Sequence, residues 1–600
     1  MEEKKLALRE EIDDKFKWKI EDMVESDETF EKNLEELKGK VSKFKDFKGT
    51  LGESRESLLA YLKFDDEFFC EGERLYVYAN QKLHEDLSVS KYQKYAGDIQ
   101  NVLVMAYSED SFARPELLAM DEKTLREYME GDGDIKIYHK LLSDLLDEKE
   151  HVLSFECEEI LAKAGRFDNA GQDIYSMFNG ADIDFPEIKD ENGESVKLSN
   201  GRYVKYLEST NREVRKEAFA AMYKTYGALN NTIAAMFNSS LSKSAFYSDV
   251  RKYKSSRDMY LTGNHIPEEV YDNLIDVVHE KMPLMYKYLE LRKKALNLSE
   301  LHMYDLYAPM AANVDNSYSY DEAKAIVKDA LMVMGDEYIS HLEAGFNDGW
   351  IDVYENKGKR SGAYSWGCYG VHPYVLLNYS GNLNSVFTLA HEMGHAIHTY
   401  YSNENQEYIN ASYKIFVAEV ASTCNEALLI NYLLNKTTDK NERIFLINYF
   451  LEQFKGTLYR QTMFAEFEKI VHEKADQGLT LTADELNEIY YDLNKLYFGD
   501  GIVIDDDIKY EWSRIPHFYN AFYVYQYATG FSAAIALSKK ILNEGESAVE
   551  DYKKFLKGGC SKDPIDLLKI AGVDMGKKEP VIEALNLFEE LLDEMEELLK

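Results

Sequence analysis

The sequence predicts a mainly α-helical fold with a small β-sheet beside one apolar, histidine-bearing helix. Three observations carry that expectation. Apolar residues recur at helical spacing through the first 110 residues, again from 412 to 498, and once more at the C-terminal end. One stretch, 350–380, is instead aromatic, β-branched and punctuated by Gly362, Gly367 and Gly370, the composition of short strands. Only 9 prolines occur in 600 residues, and no repeat or low-complexity tract interrupts the pattern.

Taken in order, Leu34, Leu37, Val41 and Phe44 mark one helix face, and Leu58, Leu59, Leu62 and Phe64 begin another. Further helices run to about residue 107. Pro115-Glu116 opens the next helix, with proline in the first turn. Gly131-Asp132-Gly133-Asp134 is a turn, after which helices resume to about 165. Between 186 and 206 the pattern changes to short strands, Glu187-Ile188 and Val196-Lys197-Leu198, around the turn Asn192-Gly193. Thr210-Asn211-Arg212-Glu213 reads as a capping box for a helix to Tyr226. Pro267-Glu268-Glu269 and Ser319-Tyr320-Asp321-Glu322 carry similar start signals. Phe498-Gly499-Asp500-Gly501 breaks the later helices, and Asp505-Asp506-Asp507 reads as a solvated turn rather than a metal cluster. Phe518 to Ser538 is free of charge and long enough to span a bilayer. It holds Asn520, Gln526, Ser532, Ser538 and several tyrosines, so a buried core helix lining a site is expected instead. Phe588, Leu591, Leu592 and Met595 close the chain with an amphipathic, outwardly acidic helix.

The net charge of −38 argues against a general nucleic-acid binder and against docking on anionic membranes. Five scattered cysteines without a CxxC fit a reducing compartment. Met1-Glu2-Glu3-Lys4-Lys5 is not the start of a secretory signal, so a cytoplasmic protein is expected.

The chemistry concentrates at residues 385–401, where His391, Glu392 and His395 form an HExxH pattern. With 13 histidines in the chain, roughly 0.03 chance occurrences are expected. On a helix, positions i and i+4 share a face, so two imidazoles can grip one Zn²⁺ while Glu392 serves as general base. Val386, Phe387, Leu389, Ala390, Met393 and Ile397 make the helix apolar on most sides. Burying two histidines and a glutamate there is costly unless a metal pairs them. For the third ligand, His398 shares the face, but ligands at i, i+4 and i+7 spread over about 10 Å of axis. It reads as an outer or packing residue. The metzincin pattern would need glycine at 398 and histidine at 401, where His398 and Tyr401 stand. Glu419 is the better candidate, in the apolar segment 416–426, with Glu426 seven residues on as its outer partner.

At this point the sequence resembles the thimet oligopeptidase family of zinc peptidases, in its oligoendopeptidase F branch. His391-Glu392-Met393-Gly394-His395-Ala396 and the Glu419 helix carry the likeness. Gly358–Tyr364, Pro373–Asn378 and the segments from His517 and Phe522 add to it, over residues 110 to 590. The resemblance implies two helical lobes around a deep channel, and hence short unfolded peptides as substrates. It divides the chain into an N-terminal helical lobe at 1–110, an oligoendopeptidase F-like region at 111–200 and a catalytic region at 201–600. It also implies that a histidine and tyrosines near residue 520 close over the substrate. His517, Tyr523 and Tyr527 are the candidates, Tyr523 as donor to the oxyanion.

The expected activity is that of a zinc endopeptidase with one Zn²⁺ on His391, His395 and Glu419. Glu392 moves the proton of the attacking water. A zinc carboxypeptidase on the same helix pair and a non-catalytic peptide-binding scaffold are the alternatives. The intact Glu392 argues against the scaffold.

Overall fold

The computed structural model describes residues 6–130, 133–311 and 317–600, with only the backbone of Phe155. The expected turn at Gly131–Asp134 thus lies partly outside the described residues. Helices dominate, and the described strands form only two small sheets. The chain divides into two compact units, each woven from three segments. The first takes Met1–Glu150, Asn316–Leu429 and Leu537–Val573; the second takes His151–Asp315, Ile430–Ala536 and Asp574–Lys600.

In the first unit, Asp27–Lys40 buries Phe30, Leu34 and Leu37, the i, i+4, i+7 stripe of an amphipathic helix. Ser26 caps it by accepting from the Thr29 amide. The helices Arg55–Glu85 and Ser90–Asp110 pack against each other. The next helix, Ala113–Ala119, begins two residues before Pro115. The 350–380 stretch forms a three-stranded sheet. Its central strand, Tyr374–Leu376, is wholly buried, parallel to Ile351–Asp352 and antiparallel to Tyr364–Trp366. Lys359, from the glycine-rich approach to this sheet, is buried against Asp352 at 2.6 Å. It also donates to the Tyr354 carbonyl at 2.7 Å, so its charge is spent on the sheet. The sheet packs against Leu383–Asn405, hereafter the histidine helix.

In the second unit, Glu187–Lys189 and Ser195–Lys197 form an antiparallel hairpin, with Gly193 at φ 79° in its turn. The helix at 212 is capped by Asn211, whose side chain accepts from the Glu213 amide, rather than by a Thr210 capping box. Asp505 accepts from the Met303 amide and pairs with His302, and Asp506 pairs with Lys509, which gives this acidic run structural work. Arg460, Tyr223 and Tyr490 converge on the buried Glu511.

The expected single helix over Phe518–Ser538 is not what forms. A 3₁₀ segment, Pro516–Tyr519, is followed by a break, and the α-helix starts only at Tyr525. Within the break Phe522 takes φ 55°, a left-handed backbone that no helix accommodates. Among the described residues no helix is long and apolar enough to cross a membrane.

Candidate active site

The histidine helix starts at an Asn382 cap and buries Val386, Phe387, Leu389, Ala390, Met393 and Ile397. That burial fixes its rotation and turns His391 and His395 to one side, their rings 4.9 Å apart and nearly perpendicular. The second helix, Ile415–Lys436, brings Glu419 to both. Its Oε2 lies 3.4 Å from His391 Nε2 and 3.4 Å from His395 Nε2. Tetrahedral bonds of about 2.0–2.1 Å set neighbouring ligand atoms about 3.3–3.4 Å apart, so the spacing suits one zinc ion. The donor set, two imidazole nitrogens and a carboxylate, is also one that zinc takes at catalytic sites. Glu419 keeps 36% of its side chain exposed, which leaves the triad open on one side.

Glu426 stands behind the triad, its Oε1 2.9 Å from His391 Nδ1, where it fixes the tautomer that leaves Nε2 toward Glu419. Burial pushes the Glu419 carboxyl up, but the two histidines outweigh it and hold it well below the usual range. Burial pulls His391 down, while Glu419 and Glu426 together raise it well above its ordinary value. Glu392 is buried, and that burial raises its carboxyl above the ordinary value despite the neighbouring histidines. His398 sits apart from the triad, buried and stacked on Tyr413 at 3.9 Å. Burial pulls its imidazole down to about 3, so it is neutral.

Two features of this centre escaped sequence reasoning. A Cβ on Gly394 would stand 2.6 Å from Ser422 Cα and 2.7 Å from the Ala421 carbonyl. Glycine inside HExxH thus permits the two helices to approach closely enough for Glu419 to reach the histidines. Asn425, fully buried, donates to the Ala390 carbonyl at 3.1 Å and accepts from Tyr338 at 2.8 Å, which locks the helices in register. The available signal was a glycine and an asparagine at apolar positions of facing helices.

Further along the histidine helix lie Thr399 and Asn403. They line a cavity of about 440 Å³ with Ser365, Trp366 and Gly367 of the sheet's edge and with Tyr413.

His517, Tyr523 and Tyr527 belong to the second unit, where they form their own cluster. The rings of His517 and Tyr523 stack at 6.3 Å, and Tyr523 and Tyr527 meet edge to face at 5.4 Å. Their hydroxyl oxygens are 3.5 Å apart. His517 is exposed and the two tyrosines are half-buried. Although its side chain is exposed, partial desolvation among the neighbouring rings lowers the His517 imidazole from its ordinary value. Tyr519 is not part of this group; it is buried and stacked on Tyr175 at 4.5 Å.

These features define a class: a mainly helical protein whose HExxH helix and glutamate-bearing second helix bring together a group of side chains that could hold a metal ion. Residues 205–587 match peptidase family M3, and residues 116–185 match the oligopeptidase F family. Oligopeptidase PepF of Bacillus subtilis is 47% identical over 601 residues, covering 100% of this chain and 90% of that protein. The chromosomal oligoendopeptidase F of Lactococcus lactis subsp. cremoris is 39% identical over 99% of this chain and 98% of its own length. The crystal structure of oligoendopeptidase-F from Enterococcus faecium is similar with TM-score 0.75 and 37% identity, covering 95% of this chain and 99% of that one. The chain belongs to peptidase family M3 and is a peptidase.

Proposed function

We propose that the chain is a zinc-dependent endopeptidase that hydrolyses internal bonds of short, unfolded oligopeptides in the cytoplasm. The observation that carries this is the pair of 3.4 Å separations from Glu419 Oε2 to the two histidines. Names of relatives that share the whole chain, oligopeptidase and oligoendopeptidase F, support the substrate class. The five free cysteines fit a reducing compartment. The catalytic region is assigned to 201–600, with 111–200 and 1–110 preceding it.

His391 Nε2, His395 Nε2 and Glu419 would hold the ion. When bound, it supplies Lewis acidity to a water and to the scissile carbonyl. The residues supply the rest. Glu392 accepts a proton from the attacking water at its carboxylate and returns it to the leaving amine; burial raises its basicity toward that task. Tyr523 Oη donates to the carbonyl oxygen as negative charge develops there, with His517 holding the substrate backbone or the same oxygen and Tyr527 in reserve. Glu426 keeps His391 in the binding tautomer.

The direct test is product mapping by mass spectrometry on peptides blocked at both ends. An endopeptidase cleaves them, whereas release only of C-terminal residues from free peptides would return the carboxypeptidase alternative. Metal analysis after dialysis tests the ligand set. Glu419→Ala is expected to lose zinc and His398→Ala to keep it, and the reverse ranking would move the third ligand to His398.

A further inference from the structure

Four described non-glycine residues take a left-handed backbone: Lys252, His265, Asn297 and Phe522. Of these only Phe522 is buried. A bulky side chain in that region is an outlier, and it persists only where its surroundings over-determine it.

What holds Phe522 is visible. Its amide donates to Glu468 Oε1 at 2.9 Å, inside the protein. Its ring packs on His472 at 4.7 Å, Tyr271 at 5.8 Å and Tyr260 at 5.9 Å. Glu468 lies in the middle of the helix Arg460–Asp476, has no exposed surface, and its Oε2 has no hydrogen-bond partner. Burial pushes its carboxyl well above the carboxylate range. A leucine would fill such a position without burying an orphaned polar atom. What only the carboxyl offers is an acceptor for an amide that belongs to no helix.

That amide matters because of what the turn does. In a continuous helix His517 and Tyr523, six residues apart, would lie about 120° apart around the axis. The reversal at Phe522 brings them ring to ring instead, and Tyr527 beside them.

We propose that Glu468 is a positioning residue: by accepting from the Phe522 amide it fixes the left-handed turn that sets Tyr523 against His517 and Tyr527. The inference rests on the reading of Tyr523 as oxyanion donor.

Steady-state kinetics of Glu468→Leu, Glu468→Gln, Tyr523→Phe and the Glu468→Leu/Tyr523→Phe double variant test it, with Tm and zinc content measured alongside. Misplacing a catalytic group by about 1 Å costs about 10²-fold. Glu468→Leu is therefore expected to lower kcat by about that factor, with KM changed less than about twofold and zinc retained. Glu468→Gln, which keeps an acceptor oxygen, recovers most of the turnover. The double variant is no slower than Tyr523→Phe alone. If Glu468→Leu does not fold, Glu468→Met replaces it. A slow Tyr523→Phe with a fast Glu468→Leu overturns the inference and leaves the donor reading intact. So does a double variant in which the two losses multiply. A fast Tyr523→Phe overturns the donor reading and the inference with it.

Discussion

The metal triad and the aromatic cluster are built by opposite means. The triad sits on two regular helices and is held by charge. Glu419 meets both histidines, Glu426 backs His391, and each partner stands on a helix whose apolar stripe fixes its rotation. The cluster around Tyr523 has no such charges. It depends on a place where a helix fails to form, and a buried backbone hydrogen bond from Phe522 to Glu468 holds that break. A charged site can be stated by a short motif, whereas a site made by backbone reversal is stated by residues distant in sequence.

Glu392→Gln presses hardest on this contrast. It should keep fold and zinc and lose at least about 10³ in kcat, since general-base catalysis contributes about 10²–10⁴. Near-normal turnover would remove Glu392 from the chemistry. Next comes Tyr523→Phe, expected to lower kcat by about 10²–10³ with zinc content unchanged, the cost of one oxyanion donor. If Tyr523→Phe, Tyr527→Phe and His517→Ala all turn over normally, the cluster is only packing. Glu426→Ala should weaken zinc binding by about 10–100-fold, read by competition with a chelator, because His391 loses the partner that orients it. Unchanged affinity would show that the helices alone hold the imidazole. Smallest is Gly394→Ala, expected to cost about 1–3 kcal/mol of stability by overpacking the contact with Ser422. A denaturant titration measures it, and an unaltered midpoint would mean that the helix pair can separate without loss.

The difference also explains what was legible in the sequence. The helical class, the sheet before the HExxH helix and the pairing of His391 with His395 follow from local patterning, and Glu419 and Glu426 stand out as two acids in an apolar segment that the structure brings to those histidines. The start at Asn211 was shifted by one residue, because asparagine there competes for the cap that Thr210 also signals. The helix expected over 518–538 forms only from Tyr525, for a different reason. Nothing in the local run of aromatics says that a buried glutamate about 54 residues earlier will capture one amide and reverse the chain, and local propensity yields to such a contact. Gly394 was read as part of a motif rather than as the space through which Glu419 arrives.

The weaving of each unit from separated segments sets an order on synthesis. His398, one turn beyond the metal-binding face, packs against Phe555 at 5.4 Å. That partner leaves the ribosome about 150 residues later, which at 5–20 residues per second is roughly 8–30 s. The second unit waits longer, for the helix Glu579–Leu598 that seats Phe588 and Met595. Throughout that interval the histidine helix has its sheet and the helix Ile415–Lys436 but not the contact with Phe555. The contacts among His391, His395 and Glu419 can thus form before the packing behind them is complete.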